Sequence, residues 1–195
     1  MNIILYLKKI PKLFLNVALL LLVVSLSEMT SYLSSITYGT NHPVYHFTVP
    51  VLILGYGLFF SKSFSLRRMR IIFYSTVLGL ILLSIGNSLF LQDIMIAPSY
   101  GFILLSFFVI ICSLIQLKMM INNPISQPIS RQGIFWFSVG NLVFYSINFT
   151  SFGLHAVLTD DLPEIVYHLV MWLNLILYFI YFASIFLSTQ PHTEK

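Results

Sequence analysis

Six apolar runs, each bounded by a short polar break, organise the chain. They cover about Leu13–Ile36, Val44–Ser61, Ile71–Leu91, Ser99–Ile121, Gly133–Val157 and Ile165–Leu187. A helix needs roughly 20 apolar residues to cross a hydrocarbon core, and each run approaches or exceeds that length. The breaks carry helix-stopping chemistry: Tyr38-Gly39-Thr40-Asn41-His42-Pro43, Asn122-Asn123-Pro124 with Pro128, and Asp160-Asp161-Leu162-Pro163. Pro163 and Glu164 suit the first turn of the last helix. Every break is short, so the pattern predicts one all-α transmembrane domain over residues 1–195, a bundle of six spans.

Within the runs, polar residues recur at helical spacing. In the fifth run Asn141, Tyr145, Asn148, Phe152 and His155 follow intervals of 4, 3, 4 and 3, which puts them on one helix face. In the sixth, Tyr167, Met171, Asn174, Tyr178 and Tyr181 do the same, with His168 and Trp172 beside them. Amides and imidazoles should not face lipid. The two stripes therefore make either interhelical hydrogen bonds, worth about 0.6 kcal/mol each, or the wall of a polar pocket. In the third run Ser75, Gly79 and Gly86 share a face that permits close packing, with Asn87 next to Gly86. Gly55 and Gly57 in the second run read as packing devices too.

Composition sharpens this reading. The chain is 58% hydrophobic and 8% charged, with a mean hydropathy of +0.91. A soluble domain carries about 25% charged residues, so a water-covered surface is excluded. The net charge of +4 does not indicate nucleic acid, because the basic residues sit between apolar spans. Lys8, Lys9, Lys12, Lys62, Arg67, Arg68, Arg70, Lys118, Arg131 and Lys195 all fall on one side of a six-span arrangement. Glu28, Asp93, Asp160, Asp161 and Glu164 fall toward the other, and only Glu194 does not. The positive-inside rule then predicts a cell (inner) membrane protein with both termini cytoplasmic. A competing reading takes Lys8 to Ser27 as a signal peptide ending at the small-x-small triplet Ser25-Leu26-Ser27, which would leave five spans.

Candidate chemistry follows from position. Glu28 is the one carboxylate well inside a span, and an intramembrane carboxylate is a functional-site hypothesis by default. The plain alternative ends the first helix early and puts Glu28 among the headgroups. With Asn87, Asn141, Tyr145, Asn148, His155, His168, Asn174 and Tyr178, Glu28 makes the set of candidate ligand-binding residues. Four histidines, His42, His46, His155 and His168, also fall in the outer half. Imidazoles with carboxylates are able to sense acidity or coordinate a transition metal, which makes His42 and His46 candidate metal ligands. Bis-histidine haem between His155 and His168 is geometrically conceivable, so the cofactor stays open. The HxxxH spacing of His42 and His46 is a single box on the wrong side for a membrane desaturase. HExxH, GxSxG, P-loop and paired-aspartate phosphotransferase motifs are absent. The lone Cys112 lies in an apolar run and reads as a small filler.

Gly133-Ile-Phe-Trp-Phe-Ser-Val-Gly140, Asn174-Leu-Ile-Leu-Tyr178 and Phe90-Leu91-Gln92 give the chain a resemblance to small bacterial six-helix membrane proteins of the sensor type. That resemblance implies a non-enzymatic sensor or accessory signalling subunit, which would pass its signal to a separate membrane or cytoplasmic protein partner. The basic loop Lys62 to Arg70 would hold that partner or anionic lipid headgroups. Six helices with cytoplasmic termini also resemble the substrate-binding membrane subunits of vitamin-uptake transporters, although Ala18 stands alone among leucines and valines where those use small-residue motifs. A third expectation is an intramembrane enzyme pairing Glu28 with His155 or His168 within hydrogen-bond reach.

Overall fold

Among the described residues, helix-breaking positions separate six long helices. The computed structural model describes residues 12–64, 67–124, 127–157 and 164–189, and in the last two helices it describes side chains up to Leu154 and again from Met171. The helices are α1 (Lys12–Tyr38), α2 (His42–Phe60), α3 (Arg67–Gly86), α4 (Ser99–Asn122), α5 (Gly133–Val157) and α6 (Glu164–Ser188). There is no strand among the described residues. Gly39 ends α1 with φ +73 and donates its N–H to the Ser35 carbonyl at 3.1 Å, a left-handed cap that glycine adopts without Cβ strain. Pro43 opens α2, and Pro50 breaks its hydrogen-bond ladder within the helix. A wider five-residue π turn, Asn87–Leu91, closes α3.

Packing makes a ring. α1 packs on α2, α2 on α4, α4 on α5, α5 on α6, and α6 returns to α1; α3 lies outside, mainly on α2. The α4–α5 seam is the most extensive, and α4 buries several small residues, Gly101, Ser106, Cys112 and Ser113. The core is aromatic. Phe59 and Phe137 lie 4.2 Å apart between ring centroids, Phe137 and Tyr181 4.9 Å apart. Phe14, Val17 and Leu20 from α1 are buried in the same cluster. The triplet Ser25-Leu26-Ser27 lies inside continuous helix, so cleavage there would remove those core residues.

The outside is as apolar as the inside. On α1, Leu15, Leu19, Leu22, Leu26, Met29, Leu33 and Ile36 are all exposed at alternating steps of four and three, one continuous face. Water would not tolerate such a face, and hydrocarbon does. Five helices are long and apolar enough to cross a membrane among the described residues: α1, α2, α3 with its π turn, α4 and the Met171–Ser188 part of α6. This is a multi-pass membrane protein. α5 is as long as the others but carries the Asn141 and Asn148 stripe, which lowers its hydropathy.

The two ends differ in charge. Lys62, Arg67, Arg68, Arg70, Lys118 and Arg131 lie at the end that holds the α2–α3 and α4–α5 loops. Arg70 donates from Nη2 to the Phe64 carbonyl at 2.8 Å, tying the α2–α3 loop down. Trp136 on the same end donates Nε1–H to the Ser130 carbonyl at 2.8 Å, and the half-exposed Trp172 sits toward the other end. Indoles near both ends match the aromatic belts of membrane proteins.

The glycines divide into used and unused. A Cβ on Gly57 would meet Val77 at 2.8 Å, and one on Gly140 would meet Ile180 at 2.8 Å, so these glycines let α2 approach α3 and α5 approach α6. Gly79 and Gly86 have nothing within 4 Å of that position, and Ser75 is exposed. The expected close packing on the Ser75–Gly79–Gly86 face is therefore not made within the chain, because α3 turns its Val77–Ser84 side inward instead.

Candidate functional site

A cavity of about 270 Å³ opens at the end opposite the cations, where the 39–41 and 92–98 loops lie. Five helices contribute to it: Ser27 and Glu28 from α1, Tyr45 and Thr48 from α2, Phe102 from α4, Tyr145, Asn148 and Phe152 from α5, and Asn174 and Tyr178 from α6. Most of its wall is apolar or aromatic, with a few convergent polar groups, the usual constitution of a small-molecule site. Phe102 stacks on Phe152 at 4.4 Å, and Tyr45 meets Phe102 edge-on at 5.8 Å.

The polar groups are unevenly satisfied. Glu28 is exposed at the rim and accepts a long hydrogen bond, 3.4 Å, from the Tyr45 hydroxyl. Thr48 donates to Ser27 Oγ at 3.0 Å and lies within reach of the Val44 carbonyl. Asn148 is 5% exposed, and its Oδ1 has no hydrogen-bond partner among the described residues; neither does the buried Tyr178 hydroxyl. A buried acceptor left empty costs about 1–3 kcal/mol.

Beneath the cavity runs a relay of hydroxyls. Tyr145 donates to Tyr56 at 3.0 Å, Tyr56 pairs with Tyr181 at 2.5 Å, and Tyr181 donates to Asn141 Oδ1. Asn141 closes the chain by donating Nδ2–H to the Phe137 carbonyl at 2.9 Å. Since Tyr181 spends its proton on Asn141, Tyr56 must donate to Tyr181, so the whole relay points one way. Tyr145 heads it and lines the cavity floor. These groups come from α2, α5 and α6, and Tyr56, Tyr181 and Asn141 are fully buried.

Of the residues expected from the sequence, Glu28, Tyr145, Asn148, Asn174 and Tyr178 meet in this cavity. Asn141 sits behind its floor as the terminus of the relay. Asn87 lies elsewhere: it donates Nδ2–H to Gln92 Oε1 at 2.8 Å. Gln92 in turn donates to Ser99 Oγ at 2.9 Å and accepts from the Tyr100 N–H at 3.3 Å, satisfying the start of α4. His155 and His168 lie outside the residues whose side chains are described. Met171 is exposed and turned away from the cavity.

The metal expectation meets a specific obstacle. His46 Nε2–H donates to the Ile96 carbonyl at 3.0 Å and Nδ1 pairs with the Ser88 hydroxyl at 2.7 Å, so both ring nitrogens are engaged. His42 borders the cavity. No group of three His, Cys, Asp or Glu side chains comes together among the described residues. His46 is instead a strut from α2 to the end of α3 and the loop before α4. Replacing it with alanine should destabilise the protein by about 1–3 kcal/mol and speed proteolysis within residues 92–98. A variant with an unchanged melting temperature and loop protection would refute that role.

Tyr45, Tyr56, Thr48 and Phe102 were not among the expected residues. One signal was present: a tyrosine midway through an apolar span, such as Tyr56, carries a hydroxyl that must find a partner there.

Comparison of the chain with protein-family models, with curated proteins and with solved structures finds no match. The functional reading therefore rests on the geometry of this cavity.

Proposed function

We propose that this protein is a six-span, non-enzymatic membrane receptor or accessory signalling subunit that binds a small ligand in an outward-facing pocket. Both termini lie in the cytoplasm in this reading, which makes the cationic end cytoplasmic and the cavity end external. α5 serves as the sixth span, its amides turned inward and its hydrophobic side turned to lipid.

One observation carries the proposal: five helices converge on one cavity whose polar groups are left partly unsatisfied. An occupant that satisfied Asn148, Tyr178 and Glu28 together would pull on α1, α5 and α6 at once. The relay headed by Tyr145 would then couple occupancy to the packing of α2, α5 and α6. Any output would pass to a separate protein, for which the Lys62–Arg70 loop offers a cationic contact shared with anionic lipid.

The transport alternative is less well supported. A path through the bundle would have to cross Tyr56, Tyr145 and Tyr181, which are buried and hydrogen-bonded to one another. A second, open cleft at the cationic end, lined by Lys62, Gln116 and Met119 among others, has no lining residue in common with the cavity.

Native mass spectrometry of the gently purified protein, with metal analysis on the same sample, tests the pocket. The expected result is a small organic molecule bound one to one and no stoichiometric metal. Cysteine labelling tests the topology, in a Cys112→Ala background that removes the buried native thiol. A membrane-impermeant maleimide should label Asn41→Cys in intact cells and Lys62→Cys only after lysis. The reverse pattern would overturn the orientation and, with it, the outward pocket.

A further inference from the structure

The geometry points to an amphipathic ammonium as the ligand class: a protonated primary amine on a small aromatic or apolar body. This inference rests on the pocket reading above and adds the chemistry of the occupant.

Three features of the cavity converge on it. Among the described lining residues Glu28 is the only carboxylate, and no lysine or arginine lines the cavity. Glu28 is the seventeenth residue of a 27-residue helix, well below its outer end, where an unpaired carboxylate is costly. Its described partner, the Tyr45 hydroxyl at 3.4 Å, is neutral and distant. The vacant capacity elsewhere is also acceptor capacity. Among the described residues Asn148 Oδ1, an acceptor, and the Tyr178 hydroxyl, which accepts as well as donates, lack partners, and the Tyr145 oxygen heads a relay in which its proton is already spent on Tyr56. A site with one carboxylate and several empty acceptors calls for a ligand with several N–H donors and a positive charge. An ammonium has three donors and no acceptor.

Third, the faces around the polar groups are aromatic. Tyr45, Phe102 and Phe152 form a contiguous wall through their 5.8 Å and 4.4 Å contacts. Such a wall accepts either a cation over a ring face or the apolar body of an amine. At about 270 Å³ the cavity is slightly below the roughly 300 Å³ at which drug-sized sites begin, so the ligand is small. The same ammonium chemistry is available from water or from the headgroup of phosphatidylethanolamine.

The test uses the purified full chain and three probes sharing one body: 2-phenylethylamine, 2-phenylethanol and 3-phenylpropionate. Calorimetric titration at neutral pH should show saturable amine binding, at least tenfold tighter than the alcohol, and no binding of the carboxylate. Glu28→Gln, which keeps the shape and the acceptor for Tyr45, should lower amine affinity about tenfold or more and leave the alcohol unchanged. Equal binding of amine and alcohol, or an unaltered Glu28→Gln variant, overturns the ammonium class and leaves the pocket standing. If none of the three binds, Asn174→Cys in the Cys112→Ala background separates the failures. Labelling from outside then rejects only the ligand class, whereas no labelling rejects the pocket as well. Repeating the titration in nanodiscs of phosphatidylcholine mixed with phosphatidylethanolamine or phosphatidylglycerol locates the source. Amine binding weakened only by phosphatidylethanolamine supports a lipid-borne ammonium, and binding equal in both supports a water-borne one.

Discussion

Gly133→Ala should be among the most damaging single-methyl changes in this protein. Gly133 begins α5 where α5, α6 and α1 meet. A Cβ there would fall on the Ser184 carbonyl oxygen and lie 3.0 Å from Phe14 Cζ and 3.1 Å from the Ser184 carbonyl carbon. The main obstacle is helical backbone in the C-terminal part of α6, which moves only if the last turns of α6 move. Overpacking of this kind costs about 1–3 kcal/mol and occasionally more, and with a helix as the clashing partner the upper end is expected. Two other glycines make the comparison informative. On Gly55 a Cβ would approach Leu20 Cδ2 at 2.5 Å, but that atom is the tip of a flexible side chain, so Gly55→Ala should cost under about 1 kcal/mol. Gly79 has open space beside it, so Gly79→Ala should be neutral or slightly stabilising, because alanine is favoured over glycine in a helix by about 1 kcal/mol. Melting temperatures in one detergent rank all three. Gly133→Ala no worse than Gly55→Ala would mean that α5 and α6 are not held this close.

These contrasts also mark what the sequence carried. The helices were legible because each apolar run ends in residues that cannot continue a helix, and the observed ends differ from the expected ones by at most five residues, at Leu91 and Gly86, where α3 widens into a π turn. The stripe spacing on the fifth and sixth runs was legible for the same reason that amphipathic helices are. Asn148, Asn174 and Tyr178 do share one cavity. Spacing alone does not give depth, however. Asn141 has the same phase as Asn148 but lies two turns further in, where Tyr181 occupies it. Nor does spacing reveal which of two small-residue faces a helix buries. Ser75, Gly79 and Gly86 looked like an interface, yet α3 turns Val77 and Ser84 inward. No helical period singles out Tyr45 and Tyr56, because α2 has no one polar face. The spacing of His42 and His46 makes them candidate metal ligands, but it does not show that Ser88 and Ile96, more than 40 positions away, engage the His46 ring.

Asn141→Leu should lower stability far more than Tyr145→Phe, although both residues belong to one relay. The direction of the relay decides this. Tyr145 is its first donor, so losing that hydroxyl leaves Tyr56 with its own proton still donated to Tyr181 and one lone pair unfilled. The expected cost is about 0.6 kcal/mol, the average for an interhelical hydrogen bond in a membrane protein. Asn141 is the terminal acceptor. Without its Oδ1, the Tyr181 proton has no acceptor in a fully buried site, and the Phe137 carbonyl loses the Nδ2–H that reached it. A stranded buried donor costs about 1–3 kcal/mol, and Tyr181 would have to reverse its bond with Tyr56 to avoid it, which would in turn oppose the Tyr145 proton. A Tyr181→Phe change in the Asn141→Leu background removes that donor but takes from Tyr56 the oxygen it donates to, so the unmet proton passes one step up the relay. That double variant should be about as unstable as Asn141→Leu alone, because each leaves one buried donor unmet. Additive losses in thermal unfolding of the four proteins would instead show that the relay does not act as a unit. The same cycle bears on signalling, because a ligand that donates to the Tyr145 oxygen would polarise the hydroxyl that Tyr145 gives to Tyr56 at the head of this chain.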